Sequence, residues 1–428
     1  MNLLYCFDDN RNPEYIQILS GRNSIEENRV IGYYCLMTDR RSKTNKKFML
    51  LSAIGIFMVV DSHTWTALNI FGDFIPYNSF FMPMFVFISG YFNKVDSSTK
   101  LWDYTRKKLK TLILPYALIS LFVFGIQWLM NFYKLGESVP PPSGYLAYVL
   151  EHVCTTGVSL YICEPMWFVI TLFALLMIYA IIKKLLAMHW NSFVALAVFT
   201  ALHLASLHVV TTLEYEEFYY FLLPLKCMFF LPFLELGIIY RNHLEEKHQS
   251  ISGGKKIGIL VLMLLLNTIR TLYLPNPYDI AFENLPEMAG FTSPYIVTPM
   301  ISSIIGILFW LTLVDLLGKP LQESRFVNYM SCNTFCIMGL HITFFNILNC
   351  ILMAINEYIV ALPYFDVEYF QESEWYRWEP TYHVKFLYVV IGILGPLGVK
   401  WLWDKGTSLI AQGFKNCDVS SAAEERYP

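Results

Sequence analysis

Apolar runs long enough to cross a bilayer recur along this chain, parted by short polar connections. A helix needs ~20 mostly apolar residues to span the hydrocarbon core. Ten stretches qualify, near 48–67, 74–92, 112–133, 165–186, 191–209, 218–240, 256–274, 295–317, 333–355 and 384–403. The second is the weakest, being short and carrying Pro76 and Pro83. Prolines are tolerated in such helices where neighbours satisfy the freed backbone groups. The pattern predicts an all-α fold, a polytopic transmembrane bundle of about ten membrane-spanning helices.

Charge in the connections alternates. Arg40, Arg41, Lys43, Lys46 and Lys47 precede the first stretch, and Lys94, Lys100, Arg106, Lys107, Lys108 and Lys110 separate the second from the third. Lys183 and Lys184, then Arg241, Lys247, Lys255 and Lys256, then Lys319 and Arg325 mark the later even-to-odd connections, and Lys405 follows the last stretch. The other connections are acidic, from Asp73 through Glu137, Glu151 and Glu214 to the segment Asp366–Glu379. Cytoplasmic connections carry the Lys/Arg excess. Both termini are therefore expected in the cytoplasm, with the protein multi-pass in a cell membrane.

Composition agrees. Of 428 residues, 55% are hydrophobic and only 15% charged, against about 25% charged in soluble domains; mean hydropathy is +0.44. The net charge of −3 gives no overall pull towards nucleic acid. The nine cysteines lack zinc-type pairing, and Cys332 and Cys336 read as packing residues. A disulfide between Cys154 and Cys163, in one outside connection, is left open. Residues 1–46 are polar, with no apolar core of the kind a cleavable signal peptide needs. Residues 1–36 are expected to be dispensable.

Several polar groups break the apolar pattern. The first stretch ends "VVDSHTW", Val59 to Trp65. His63 lies roughly 22 Å along it, where an ionisable group is costly and usually faces a cavity. It reads either as a general base at an outward-facing cavity or as an interfacial histidine in water. Asp61 is about 200° round the helix from it, so a partner for His63 must come from another span. Lys226 interrupts "FYYFLLPLKCMFF" and needs a counter-charge or polar cavity, with Glu164 and Glu217 as candidates. Glu235 reads as an end-of-span residue. Asn267 and Arg270 share a face of the seventh stretch, and His341 sits within the ninth as either a site residue or a hydrogen-bonded structural one.

Arg106, Lys107, Lys108 and Lys110 in "YTRKKLKTLILPY" are expected to surround a helix N-terminus, where cations, dipole and free N–H groups favour an anion such as a cofactor phosphate; plain positive-inside topology explains such clusters equally well. The long connections 134–164 and 356–383 combine Trp, Tyr and carboxylates, which fits carbohydrate or an interfacial aromatic belt. No Walker loop, dinucleotide fingerprint, zinc motif or nucleophile elbow occurs, and no metal is expected.

In order, "LLSAIGIFMVVDSHTW", "YNSFFMPMFVFISGYF", "YTRKKLKTLILPY", "PMWFVITLF", "FLPFLELGIIY" and "NTFCIMGLH" resemble the acyltransferase 3 family of integral-membrane acyltransferases, over about 48–403. "SFFMPMF" is similar to its fucose 4-O-acetylase-like, polysaccharide O-acetyltransferase subgroup. The resemblance implies an O-acetyltransferase that takes acetyl-CoA from the cytoplasm and acetylates an extracytoplasmic sugar or polysaccharide in a bacterial cell membrane. It implies His63 as catalytic histidine and Arg106, Lys107, Lys108 and Lys110 as donor-holding residues. Where many members carry an arginine eleven residues before the histidine, this chain has Ser52. On this reading Lys226 joins His63 in catalysis, and Asp61, Trp65, Glu164, Trp167, Arg270 and His341 line the substrate site. Residues 1–46 are then a cytoplasmic lead-in, 48–403 the membrane domain and 404–428 a cytoplasmic tail. A transporter or flippase of a glycan or small polar substrate is the competing expectation; a sensor fits less well, since no soluble output domain is seen.

Overall fold

The fold comes from a computed structural model and is described for residues 45–64, 68–96, 98–132, 145–159, 161–186, 190–213, 215–274, 295–363, 365–372 and 384–424. Among these, all regular structure is helical. The bundle comprises α1 (Asn45–Ser62), α2 (Phe81–Phe92), α3 (Leu101–Lys108), α4 (Leu114–Phe132), α5 (Tyr145–Thr155), α6 (Trp167–Leu185), α7 (Ser192–Thr212), α8 (Leu222–Ile239), α9 (Gly253–Tyr273), α10 (Thr298–Gln322), α11 (Arg325–Cys332), α12 (Thr334–Tyr358) and α13 (Lys385–Glu424). Eight helices among the described residues are long and apolar enough to cross a membrane.

The second apolar stretch differs from its expectation. Gly72–Phe74 and Tyr77–Ser79 form 3-10 turns, and only Phe81–Phe92 is α-helical, 12 residues long. At ~1.5 Å per residue, α2 covers about 18 Å, less than the hydrocarbon core. It is buried along nearly its whole length, because it packs face to face on α8. A Cβ on Gly90 would strike the Leu234 carbonyl, and one on Gly237 the Phe87 carbonyl. Small residues let helix backbones approach this closely where lipid supplies no hydrophobic drive.

α1 lies at the centre, touching α2, α10, α11, α12 and α13. Its apolar residues run all round the helix, with Phe48, Leu51, Ile56, Met58, Val59 and Val60 buried, as expected for a helix enclosed by others. The ninth stretch is the helix α12, which begins at Thr334, close to where its hydropathy indicates; the short α11 precedes it, and the chain breaks at Asn333 (φ −120°, ψ 22°) between them.

Residues that the charge pattern places on one side do meet. At the basic end, Lys47 Nζ lies 2.8 Å from Asp315 and donates to the Tyr240 hydroxyl at 3.1 Å. Lys256 also pairs with Asp315, at 3.3 Å, and Arg241 donates to the carbonyls of Tyr91 and Asn93 at 2.6 and 2.7 Å. Cys154 and Cys163, whose pairing the sequence leaves open, are free thiols.

Candidate functional site

His63 follows the last turn of α1. Its Nδ1 lies 2.6 Å from the Val59 carbonyl. A carbonyl oxygen only accepts, so Nδ1 carries the proton and, in the neutral ring, Nε2 keeps its lone pair. His341 on α12 repeats the arrangement, with Nδ1 3.0 Å from the Ile337 carbonyl. The two rings meet edge to face with centroids 4.9 Å apart. His341 is fully buried and His63 half-buried.

Lys226, Trp167 and the turn before α6 form a second wall. Lys226 Nζ sits 4.1 Å from the centroid of the Trp167 ring and donates to the Thr156 carbonyl at 3.1 Å. Trp167 is itself stacked on Phe230. The turn is held from several sides. Gly157 has φ +88°, its carbonyl accepts from the Tyr116 hydroxyl at 3.0 Å, and Ser159 pairs with Ser120 at 2.8 Å. A Cβ on Gly157 would come within 2.7 Å of the Trp167 carbonyl, so the turn seats directly on the tryptophan. Glu164 is half-buried in the 3-10 run Tyr161–Met166. The 3-10 run before Trp167 packs on α12, where a Cβ on Gly339 would lie 2.7 Å from Met166 Sδ; His341, two residues on, is about 200° round the helix from Gly339.

The other sequence candidates are placed elsewhere. Asp61 is fully buried, and its Oδ1 accepts from the Leu68 backbone N–H at 2.9 Å, fastening the chain reversal after α1. Trp65 lies outside the described residues. Arg270 is buried near the C-terminal end of α9, its Nε donating to Asn267 Oδ1 at 2.6 Å, while Asn267 donates to the Phe74 carbonyl. That neighbourhood is the Gly72–Phe74 turn, not the Trp167 wall.

The basic cluster is not at a helix N-terminus. α3 begins at Leu101, with Asp103 in its first turn, and continues through a π-helical turn, Leu109–Ile113, into α4. Its amides are therefore engaged along a continuous helix, and the dipole argument for an anion there lapses. Only Lys108 turns inward, 2% exposed, with Nζ 5.2 Å from the Tyr104 ring centroid. Lys107 is half-buried, and Arg106 and Lys110 are exposed.

Two buried polar groups escaped the sequence reading. Glu235 is fully buried, not an end-of-span residue at the surface, and accepts from the Tyr179 hydroxyl at 2.7 Å. The Lys47–Asp315 pair was equally unforeseen. The available signal was a lone carboxylate inside an apolar run, "FLELG" and "LVDLL". An apolar cavity of about 690 Å³ follows Leu50, Ala53, Ile54, Phe57 and Met58 of α1 towards α10 and α11. His63 lies about 140° round the helix from Met58, on another face. Among the described residues, no group of three or more His, Cys, Asp or Glu side chains is placed to hold a metal ion.

Neither the curated proteins nor the solved structures include a significant match to the chain. The family comparison does: residues 47–365 match the family Acyl_transf_3, described as an acyltransferase domain. That span contains both histidines, the Lys226–Trp167 wall and the basic helix, and it covers well over half of the 428 residues. The chain therefore belongs to the acyltransferase 3 family, and it is a multi-pass membrane acyltransferase.

Proposed function

We propose that the protein is an O-acetyltransferase, moving an acetyl group from cytoplasmic acetyl-CoA to a hydroxyl of an extracytoplasmic sugar or polysaccharide in a bacterial cell membrane. The catalytic unit is the bundle 48–403, with both termini in the cytoplasm. The observation that carries the reading is the His63 Nδ1 bond to the Val59 carbonyl. It leaves Nε2 as a fixed lone pair within the membrane bundle, which is the requirement for a general base.

His63 Nε2 takes the proton of the acceptor hydroxyl as its oxygen attacks the thioester carbonyl. The carbonyl oxygen gains negative charge, and the Lys226 ammonium beside Trp167 lies on the wall best suited to stabilise it. Collapse breaks the carbon–sulfur bond. The departing thiolate recovers the proton from His63, leaving ester and free thiol. His341 orients the His63 ring from the side. Glu164 and Trp167 serve as acceptor contacts on the same wall as Lys226. Lys108, with Arg106, Lys107 and Lys110, holds the CoA phosphates at the basic end as cations, without help from a helix terminus.

Ester analysis of the surface glycan tests the reading, comparing cells with the intact gene and with His63→Ala at equal protein level. Loss of O-acetyl groups from a glycan that still reaches the surface is the expected result. Loss of the glycan itself, with unchanged ester per sugar, would instead favour a flippase.

A further inference from the structure

We propose that Arg270 forms an oxyanion-binding subsite at the outer ends of α9 and α10, so that the acceptor carries a carboxylate or a phosphate group. This rests on the acyl-transfer reading above and names the chemical class of its acceptor.

An arginine near the end of a membrane helix normally extends its head group to water along its flexible stem. Arg270 does not. It is 5% exposed, and Asn267, itself fastened to the Phe74 carbonyl, holds its Nε inward. Nη1 and Nη2 are both buried, and neither has a hydrogen-bond partner among the described residues. Arginine stays charged in any protein setting. A guanidinium sealed from water without a counter-charge is strongly unfavourable, so the geometry implies that a negative group completes it.

α9 and α10 are antiparallel neighbours in contact through Lys256 and Asp315 at 3.3 Å. Equal steps along both helices from that contact bring Arg270 level with Ile301. The buried hydroxyls of Thr298 and Ser302 lie about 100° and 140° round α10 from Asp315, on other faces, and are no part of the subsite. The two Nη groups form the end-on edge of the guanidinium, which matches two oxygens of one carboxylate or phosphate. Neutral sugar hydroxyls would satisfy the bonds but leave the charge uncompensated.

The test uses the full chain in neutral-lipid nanodiscs at constant ionic strength, titrated with glucuronate, inorganic phosphate, glucose or chloride and followed by thermal unfolding. The expected result is stabilisation by glucuronate or phosphate and none by glucose or chloride. Response to glucuronate alone identifies a carboxylate acceptor; response to phosphate alone identifies a phosphorylated one. Arg270→Gln should weaken the response about tenfold or more. Should Arg270→Gln fail to fold, Arg270→Lys, which keeps the charge but loses the two-armed edge, should weaken it by a smaller factor. His63→Ala should keep the full response, so the subsite can stand even if the acyl-transfer reading fails. Equal responses to chloride and glucuronate, or an unchanged response in Arg270→Gln, would overturn the proposal. So would finding that Asp279→Asn, Glu283→Gln and Glu287→Gln together destabilise the wild type but not Arg270→Gln, because the counter-charge would then be the chain's own.

Discussion

The imidazoles of His63 and His341 meet edge to face at 4.9 Å, although they come from helices far apart in sequence. Each donates its Nδ1 proton to the carbonyl four residues before it, Val59 and Ile337. Two rings fixed in the same tautomer, one fully buried, make a site where a proton taken by one ring is felt by the other. Their substitution effects should therefore be coupled.

His63→Ala is expected to lower the rate of ester formation by about 10²–10⁴-fold, the usual contribution of general-base catalysis. His341→Ala should lower it less and shift the pH profile, because it acts through the His63 ring. The double variant should be scarcely slower than His63→Ala alone. Fully additive losses would show that the two rings work independently.

Lys226→Met keeps the stem that packs against Trp167 and removes the charge. If the ammonium stabilises the developing oxyanion, kcat should fall about 10²-fold, with little change in KM. A change confined to KM would place Lys226 in acceptor binding. Circular dichroism and thermal unfolding of the same variant would show whether the loss is instead one of folding.

Gly157→Ala should be destabilising. The residue would have to keep φ +88° with a Cβ 2.7 Å from the Trp167 carbonyl. Such strain costs about 1–3 kcal/mol, and relief by moving the turn would shift Thr156, which holds Lys226. A lower unfolding temperature together with reduced activity is the expected pair of observations.

Asp315→Asn removes the carboxylate that Lys47 and Lys256 share, where the Lys47 and Asp315 side chains are only 8% and 10% exposed. Leaving a buried lysine without its partner costs about 3–5 kcal/mol. Lys47→Met with Asp315→Leu should recover most of that loss, because apolar packing replaces both charges. Unfolding in detergent by denaturant would measure the cycle.

Much of the bundle was legible in the sequence. Lipid cannot hydrogen-bond a backbone, so each crossing must be a helix of sufficient length, and hydropathy marks where. Alternating charge in the connections put Lys47 and Lys256 at the same end, and they meet there on Asp315, a partner the pattern did not indicate. His63 and Lys226 stood out singly as ionisable residues at costly depths.

What joins them was decided only by tertiary structure. The close approach of α2 to α8 runs through Gly90 and Gly237, and hydropathy reads both sides of such a contact as apolar. The pairing of His63 with His341 depends on how α12 packs beside α1. The seat of Lys226 depends on a positive-φ glycine in a different connection. The basic run of α3 lost its expected helix terminus because a π-turn carries the helix straight on. Hydropathy and charge are properties of single residues and local windows, so sequence alone sets which segments enter the membrane and which ends lie together. Rotation, offset and close approach are properties of helix pairs. They arise only when side chains from distant segments pack, and they determine which of the candidate residues share a site.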